Sequence, residues 1–169
     1  MKRPYWKEEC KKKWIDPSQI GSKIAFLRSK GKTICTLNGS FDLLHAGHLH
    51  IIYEAKKLAD ILLVALNSDS SIRQYKGPDR PIVPLEARLE MISAIEFIDF
   101  ITWFDETDPR CLLDKVRPDF HVNGAEYGTN CIEAETVKKN GGKLVLVDRI
   151  DGLSTSQIIK KIHTLCAAS

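Results

Sequence analysis

The sequence has no Cys-x-x-Cys pair, and its five cysteines, Cys10, Cys35, Cys111, Cys131 and Cys166, are scattered and odd in number. That pattern disfavours a disulfide framework and a structural zinc site, and it favours a reducing compartment. No apolar run approaches the ~18 residues of a membrane span, and no apolar h-region follows the Lys-rich start. These absences lead us to expect a cytoplasmic protein with no membrane partner. An excess of one charge is also lacking. With 25 Lys and Arg against 22 Asp and Glu the formal charge is +3, too small to argue for nucleic acid but compatible with a local basic pocket for a small anion. No internal repeat or low-complexity tract is visible.

What is present is an ordinary globular balance, 43% hydrophobic and 28% charged over 169 residues. A chain of this length buries enough surface to fold without a disulfide or metal. Residues 1–14 form a basic extension with Tyr5, Trp6 and Trp14 among Lys7, Lys11, Lys12 and Lys13. It reads as a frayed, solvated extension or an initial helix whose aromatics dock on the domain, or alternatively as an anion-binding or nucleic-acid arm. Residues 15–169 are expected to form one domain. Within it, apolar periodicity predicts helices over about 15–30, 49–59, 85–97, 109–116, 131–139 and 154–165. Strands are predicted over 33–37, 61–66, 99–104, 120–122 and 143–147, with 67–84 as a polar loop. The run over 61–66 is apolar on both faces, as in a buried parallel sheet. Alternating strands and helices predict a Rossmann-like, doubly wound α/β fold, with a five-stranded mainly parallel sheet and helices on both faces. Such folds bind ligands at the carboxyl ends of their strands.

The first strand runs into Asn38-Gly39-Ser40-Phe41-Asp42 and then His45-Ala46-Gly47-His48. Gly39 is read as permitting a tight turn and Gly47 as allowing close ligand approach. His48 lies near the start of a helix, whose free N–H groups and positive end favour phosphate. The two histidines could alternatively begin a metal site or cap the helix, but no third metal ligand is within local reach. Arg149 and Ser154-Thr155-Ser156 precede the last helix. They suit a triphosphate end equally well, while Ser154 with Gln157 also reads as a capping box. Between these segments, Asn67, Asp69, Arg73, Lys76, Arg80 and Arg88 form a cation-rich stretch suited to a mobile element over phosphates.

The pattern Gly-x-Phe-Asp-x-x-His-x-Gly-His resembles the signature of the cytidylyltransferase-like nucleotidyltransferases. The stretch from Arg149 to Ser156 resembles their second signature. Asn67-Ser68-Asp69, Arg73, Lys76-Gly77 and Pro84-Leu85-Glu86-Ala87-Arg88 resemble one subgroup, the heptose 1-phosphate adenylyltransferases that make ADP-heptose. That likeness runs from about Ile20 to Ile162. Where the subgroup usually has Lys-Gly-Gly-Asp-Tyr and a Cys before Phe-Asp, this chain has Asn123-Gly124-Ala125-Glu126-Tyr127 and Ser40. Arg149 is more typical of the cytidylyltransferases.

The resemblance implies attack by a sugar phosphate on the α-phosphorus of ATP, or of CTP, with pyrophosphate leaving and no covalent enzyme intermediate. It assigns His45, His48 and Lys76 to catalysis. It assigns Asn38, Gly39, Ser40, Phe41, Asp42, Gly47, Arg88, Asn123, Gly124, Glu126, Arg149, Ser154, Thr155 and Ser156 to the nucleotide. Asn67, Asp69, Arg73, Arg80 and Tyr127 fall to the acceptor. Asp42 would orient the turn backbone or the Mg²⁺ shell, and Mg²⁺ would be bound mainly through the nucleotide phosphates, with few protein ligands. A sugar kinase upstream and a homodimer are also compatible with it. The alternatives are a cytidylyltransferase acting on glycerol 3-phosphate or another alcohol phosphate, supported by Arg149 and the Asp151-Gly152 pair, and a catalytically silent nucleotide- or RNA-binding module, supported by the basic arm.

Overall fold

Strands β1 (Ile34–Gly39), β2 (Ile61–Asn67), β3 (Phe100–Phe104), β4 (Phe120–Gly124) and β5 (Lys143–Val147) form one sheet in the order β3-β2-β1-β4-β5. Every pairing in it is parallel, so the expected mainly parallel sheet is wholly so. The computed structural model describes residues 5–150 and 152–167. Lys2, at the head of the basic arm, and Asp151 lie outside the described residues.

The helices are α1 (Trp6–Lys11), α2 (Ile20–Ser29), α3 (Ala46–Lys56), α4 (Asp69–Lys76), α5 (Leu85–Ser93), α6 (Arg110–Val116), α7 (Ala134–Lys139) and α8 (Thr155–Ala167). Side chains alternate across a strand, and β2 shows the consequence. Leu62, Val64 and Leu66 pack with Ile52 and Ala55 of α3 and with Leu89 and Ile92 of α5. Leu63 and Ala65 pack on the other face with Ile20, Ile24 and Leu27 of α2 and with Leu112 and Val116 of α6. Both faces are covered, as the apolar run predicts.

From β1 the chain winds outward through β2 and β3, then returns to β4 on the other side of β1. The reversal falls between β1 and β4, and this places a crevice at their carboxyl ends.

One element departs from the sequence reading. Residues 67–84 are not all loop, because α4 occupies Asp69–Lys76. The Ser68 hydroxyl caps it by accepting the Ser71 N–H at 3.2 Å, and Ile72 and Ser71 are buried. The prolines and glycine of 77–84 dominate the local signal, yet a serine cap and one buried apolar residue suffice here. At the amino end, α1 packs along α5, and Trp6 Nε1 donates to Glu90. Ile15 N donates to Ile101 O and Ile101 N to Lys13 O, each at 2.8 Å, which covers the outer edge of β3. Among the described residues no helix is long and apolar enough to cross a membrane.

Candidate functional site

The turn after β1 is strained. Phe41 and Leu43 have φ of 48° and 51°, in the left-handed region that ordinary residues avoid. Gly39, expected to supply the turn's freedom, is instead the last residue of β1, and a Cβ there would press on the Phe41 ring. The strained residues are held from several sides. Phe41 is buried, and its ring lies 5.4 Å from that of His48. The fully buried Asp42 carboxylate accepts from Arg80 Nε and Nη2 and from the N–H groups of Ile82 and Val83. Burial pushes the Asp42 carboxyl up, but the Val83 and Ile82 N–H groups and the Arg80 guanidinium outweigh it, so its pKa is lowered. With these partners Asp42 organises the turn. This is the first of the two roles expected of it, and its side chain is not among those lining the cavity.

His45 is the N-cap residue of α3, and His48 follows on its first turn. Their rings stack at 4.0 Å. His48 Nδ1 accepts the His45 backbone N–H at 3.3 Å, which leaves the ring proton on Nε2 as a donor. Burial first, then His45 and Lys76, bring the His48 pKa down to about 4. Burial and Arg149 lower that of His45. Both rings are therefore neutral at pH 7. Gly47 makes the stack possible, since a Cβ there would sit 3.0 Å from the His45 ring.

The second segment meets the first. Thr155 Oγ1, at the start of α8, donates to the Asp42 carbonyl at 2.7 Å. Ser154 Oγ accepts the Gln157 N–H at 3.2 Å, so the expected cap is formed. Ser154, Thr155 and Ser156 line the same cavity as the two histidines. Arg149 pairs with Glu126 at 3.3 Å across the mouth. A Cβ on Gly124 would collide with the Glu126 carboxylate, so that glycine makes room for the carboxylate's fold-back.

Lys76, in the last turn of α4, donates to Ser40 Oγ at 2.8 Å. Burial and Arg80 lower its pKa. Arg88 corrects the sequence reading. Expected at a helix edge near the nucleotide, it is 1% exposed. It donates to Val83 O, Ser40 O, Asn67 O and Asp69 Oδ1 and does not line the cavity. It is a strut tying the first turn to β2 and α4. Asp69 is spent on Arg88, and neither Asp69 nor Arg73 lines the cavity, so the acceptor roles expected of them lose their geometric support.

The cavity of about 880 Å³ at the β1/β4 crevice gathers the remaining expected residues: Asn38, Gly39, Ser40, Phe41, His45, Gly47, His48, Asn67, Lys76, Arg80, Asn123, Gly124, Glu126, Tyr127, Arg149, Ser154, Thr155 and Ser156. Sequence reasoning missed Tyr75, Thr107, Asp108 and Glu133, which also line it. Tyr75 adjoins Lys76 and could have been inferred once α4 was known. The other three carry no local signal. Among the described residues no group of three or more His, Cys, Asp or Glu side chains is placed to hold a metal.

A family model described as Cytidylyltransferase-like matches residues 36–163. The chain belongs to the cytidylyltransferase-like family. Both histidines and the start of α8 lie within the matched span. This cytidylyltransferase-like domain is 42% identical over 136 residues to Bifunctional protein HldE of Syntrophotalea carbinolica, covering 80% of this chain and 28% of the relative. To Bifunctional protein HldE of Salmonella paratyphi A it is 41% identical over 147 residues, covering 86% and 31%. The chain thus spans less than a third of the length of these curated relatives. Among solved structures, the lipopolysaccharide core biosynthesis protein from Thermoplasma volcanium GSS1 aligns with TM-score 0.58 and 32% identity, covering 71% of this chain and 98% of that one. Pantoate-beta-alanine ligase from Francisella tularensis, complexed with beta-gamma ATP and beta-alanine, shares the fold at TM-score 0.62 and 16% identity, covering 89% and 77%.

Proposed function

We propose that this domain transfers AMP from ATP to a sugar 1-phosphate, D-glycero-D-manno-heptose 1-phosphate, releasing pyrophosphate and forming ADP-heptose. The observation that carries the reading is the joining of two phosphate-binding segments by the Thr155 to Asp42 hydrogen bond, with the stacked histidines between them. The identity to the HldE proteins and to the lipopolysaccharide core protein supports the substrate. The relatives are named bifunctional, and the larger part of each lies outside the match. A sugar kinase supplying the acceptor fits there or in a separate chain. A cytoplasmic setting suits the free cysteines.

A phosphate monoester is a competent nucleophile at pH 7, so positioning and charge stabilisation suffice. His48 Nε2–H would donate to a non-bridging α-phosphate oxygen. Because the free ring is neutral, it enters the site without a charge to neutralise, and the approaching anion raises its pKa so that the bond strengthens as charge builds. The amino end of α8 would hold the pyrophosphate end, joined by Lys76 and by Arg149 drawn from Glu126. Mg²⁺, carried by the phosphates, would neutralise part of their charge. The chain's share of that binding is small, because Asp42 is committed to its four N–H donors.

Pyrophosphate release measured with heptose 1-phosphate and either ATP or CTP tests the assignment. A higher kcat/KM with ATP is expected. Preference for CTP would move the protein to a cytidylyltransferase reading.

A further inference from the structure

Successive residues of β1 face opposite sides of the sheet. Leu37 belongs to the face covered by α3, whereas Ile34 belongs to the face covered by α2 and α6. Asn38 shares the parity of Ile34. Leu37 pairs with Val122 in β4, so Asn38 and Asn123 stand side by side one step further on. Both line the cavity.

Three features of this row are unexplained by phosphate binding. Asn38 Oδ1 is buried and accepts no hydrogen bond. Glu133 is only 7% exposed and has no ion-pair partner among the described residues, its side-chain bond being from Asn123 Nδ2 at 3.3 Å. Glu133 is also the N-cap residue of α7, yet its carboxylate does not cap that helix. It is turned toward Asn123 and the cavity instead. A buried carboxylate without a cation is costly unless a donor completes it. Asn123 cannot rotate to help, since its Oδ1 accepts from Gly124 N.

Acceptor oxygens that await donors repel phosphate and suit hydroxyl groups. Their position fits the reaction as well. The histidines stand at the start of α3, with the first residue of α8 bonded to the same turn, and the row faces the other side of β1. In an in-line displacement the nucleophile arrives opposite the leaving pyrophosphate. We infer that Asn38, Asn123 and Glu133 form the acceptor subsite and bind the hydroxyl groups of the sugar, a role that rests on the transferase reading above. It replaces the acceptor contacts expected from Asp69 and Arg73, which the fold turns away from the cavity.

The source of the hydroxyls separates by kinetics, because the ribose of the nucleotide offers the same chemistry. Glu133→Gln keeps the shape and one acceptor oxygen but removes the charge. The expected result is a KM for heptose 1-phosphate raised about 10-fold, the scale of a hydrogen bond to a charged group, with the KM for ATP within about twofold of wild type. A rise confined to the KM for ATP overturns the acceptor assignment, and unchanged values for both overturn the subsite. A merely structural role would lower the melting temperature and kcat together while leaving the KM ratio fixed, and it too would overturn the subsite. Failure of wild-type transfer counts against the proposed function instead. The subsite is then read by calorimetry of heptose 1-phosphate alone: about 10-fold weaker binding by Glu133→Gln supports it, and equal or absent binding in both proteins overturns it.

Discussion

His48 shows how an environment tunes one side chain. Its burial and its neighbours keep the ring neutral with the proton on Nε2, so it is built to donate toward charge that develops during the reaction. His48→Ala should lower kcat by about 10²-fold, the scale of losing one such donor, with folding unchanged by circular dichroism. Near-wild-type turnover would remove the histidine from catalysis. A second histidine gives a stability forecast instead. His121 in β4 is fully buried beside the Thr36 hydroxyl at 2.8 Å, and burial lowers its pKa to about 4. The folded value lies below the unfolded one, so its contribution is complete above about pH 6.5 and is lost as pH falls toward 4. Urea unfolding should show a loss of about 2 kcal/mol from His121 between pH 7.5 and 5, beside a comparable one from His48, so His121→Gln should remove about half of the total. An equal loss in both proteins would place the sensitivity elsewhere.

At the scale of elements, three segments distant in sequence meet at Asp42: the turn after β1, residues 80–83 and the start of α8. Asp42→Asn leaves Arg80 without its carboxylate and puts an N–H donor among N–H donors. Breaking such a buried pair costs about 3 kcal/mol, and the strained Phe41 and Leu43 turn loses what holds it. A lower melting temperature with a reduced kcat is expected. A variant with wild-type stability and kcat would mean that the carboxylate does not organise the turn. This junction also marks what the sequence could and could not show. His45, His48 and the Ser154 cap were legible because each is contiguous and stands at a strand-to-helix step. Arg88 was not, because helical spacing does not tell an edge from a buried strut, and only the packed fold brings Ser40, Asn67 and Asp69 to one guanidinium. Helix α4 was hidden by the prolines and glycine that follow it. Glu133 sits in a polar stretch where nothing local distinguishes it from a surface acid.

The whole molecule places these parts by topology. A doubly wound sheet was implied by alternating strands and helices, although the strand order, and with it the reversal between β1 and β4, came only from the structure. Across that crevice the two histidines stand at the start of α3, which covers one face of β1, and the amide and carboxylate row belongs to the other face. On the proposed reading, a triphosphate and a hydroxylated acceptor would approach one phosphorus from opposite directions. The most direct test of the account is phosphorus NMR of the purified protein with ATP, Mg²⁺ and heptose 1-phosphate. The expected spectrum gains the diphosphate resonances of ADP-heptose in step with pyrophosphate. Pyrophosphate accompanied by AMP alone, or no pyrophosphate at all, would contradict it.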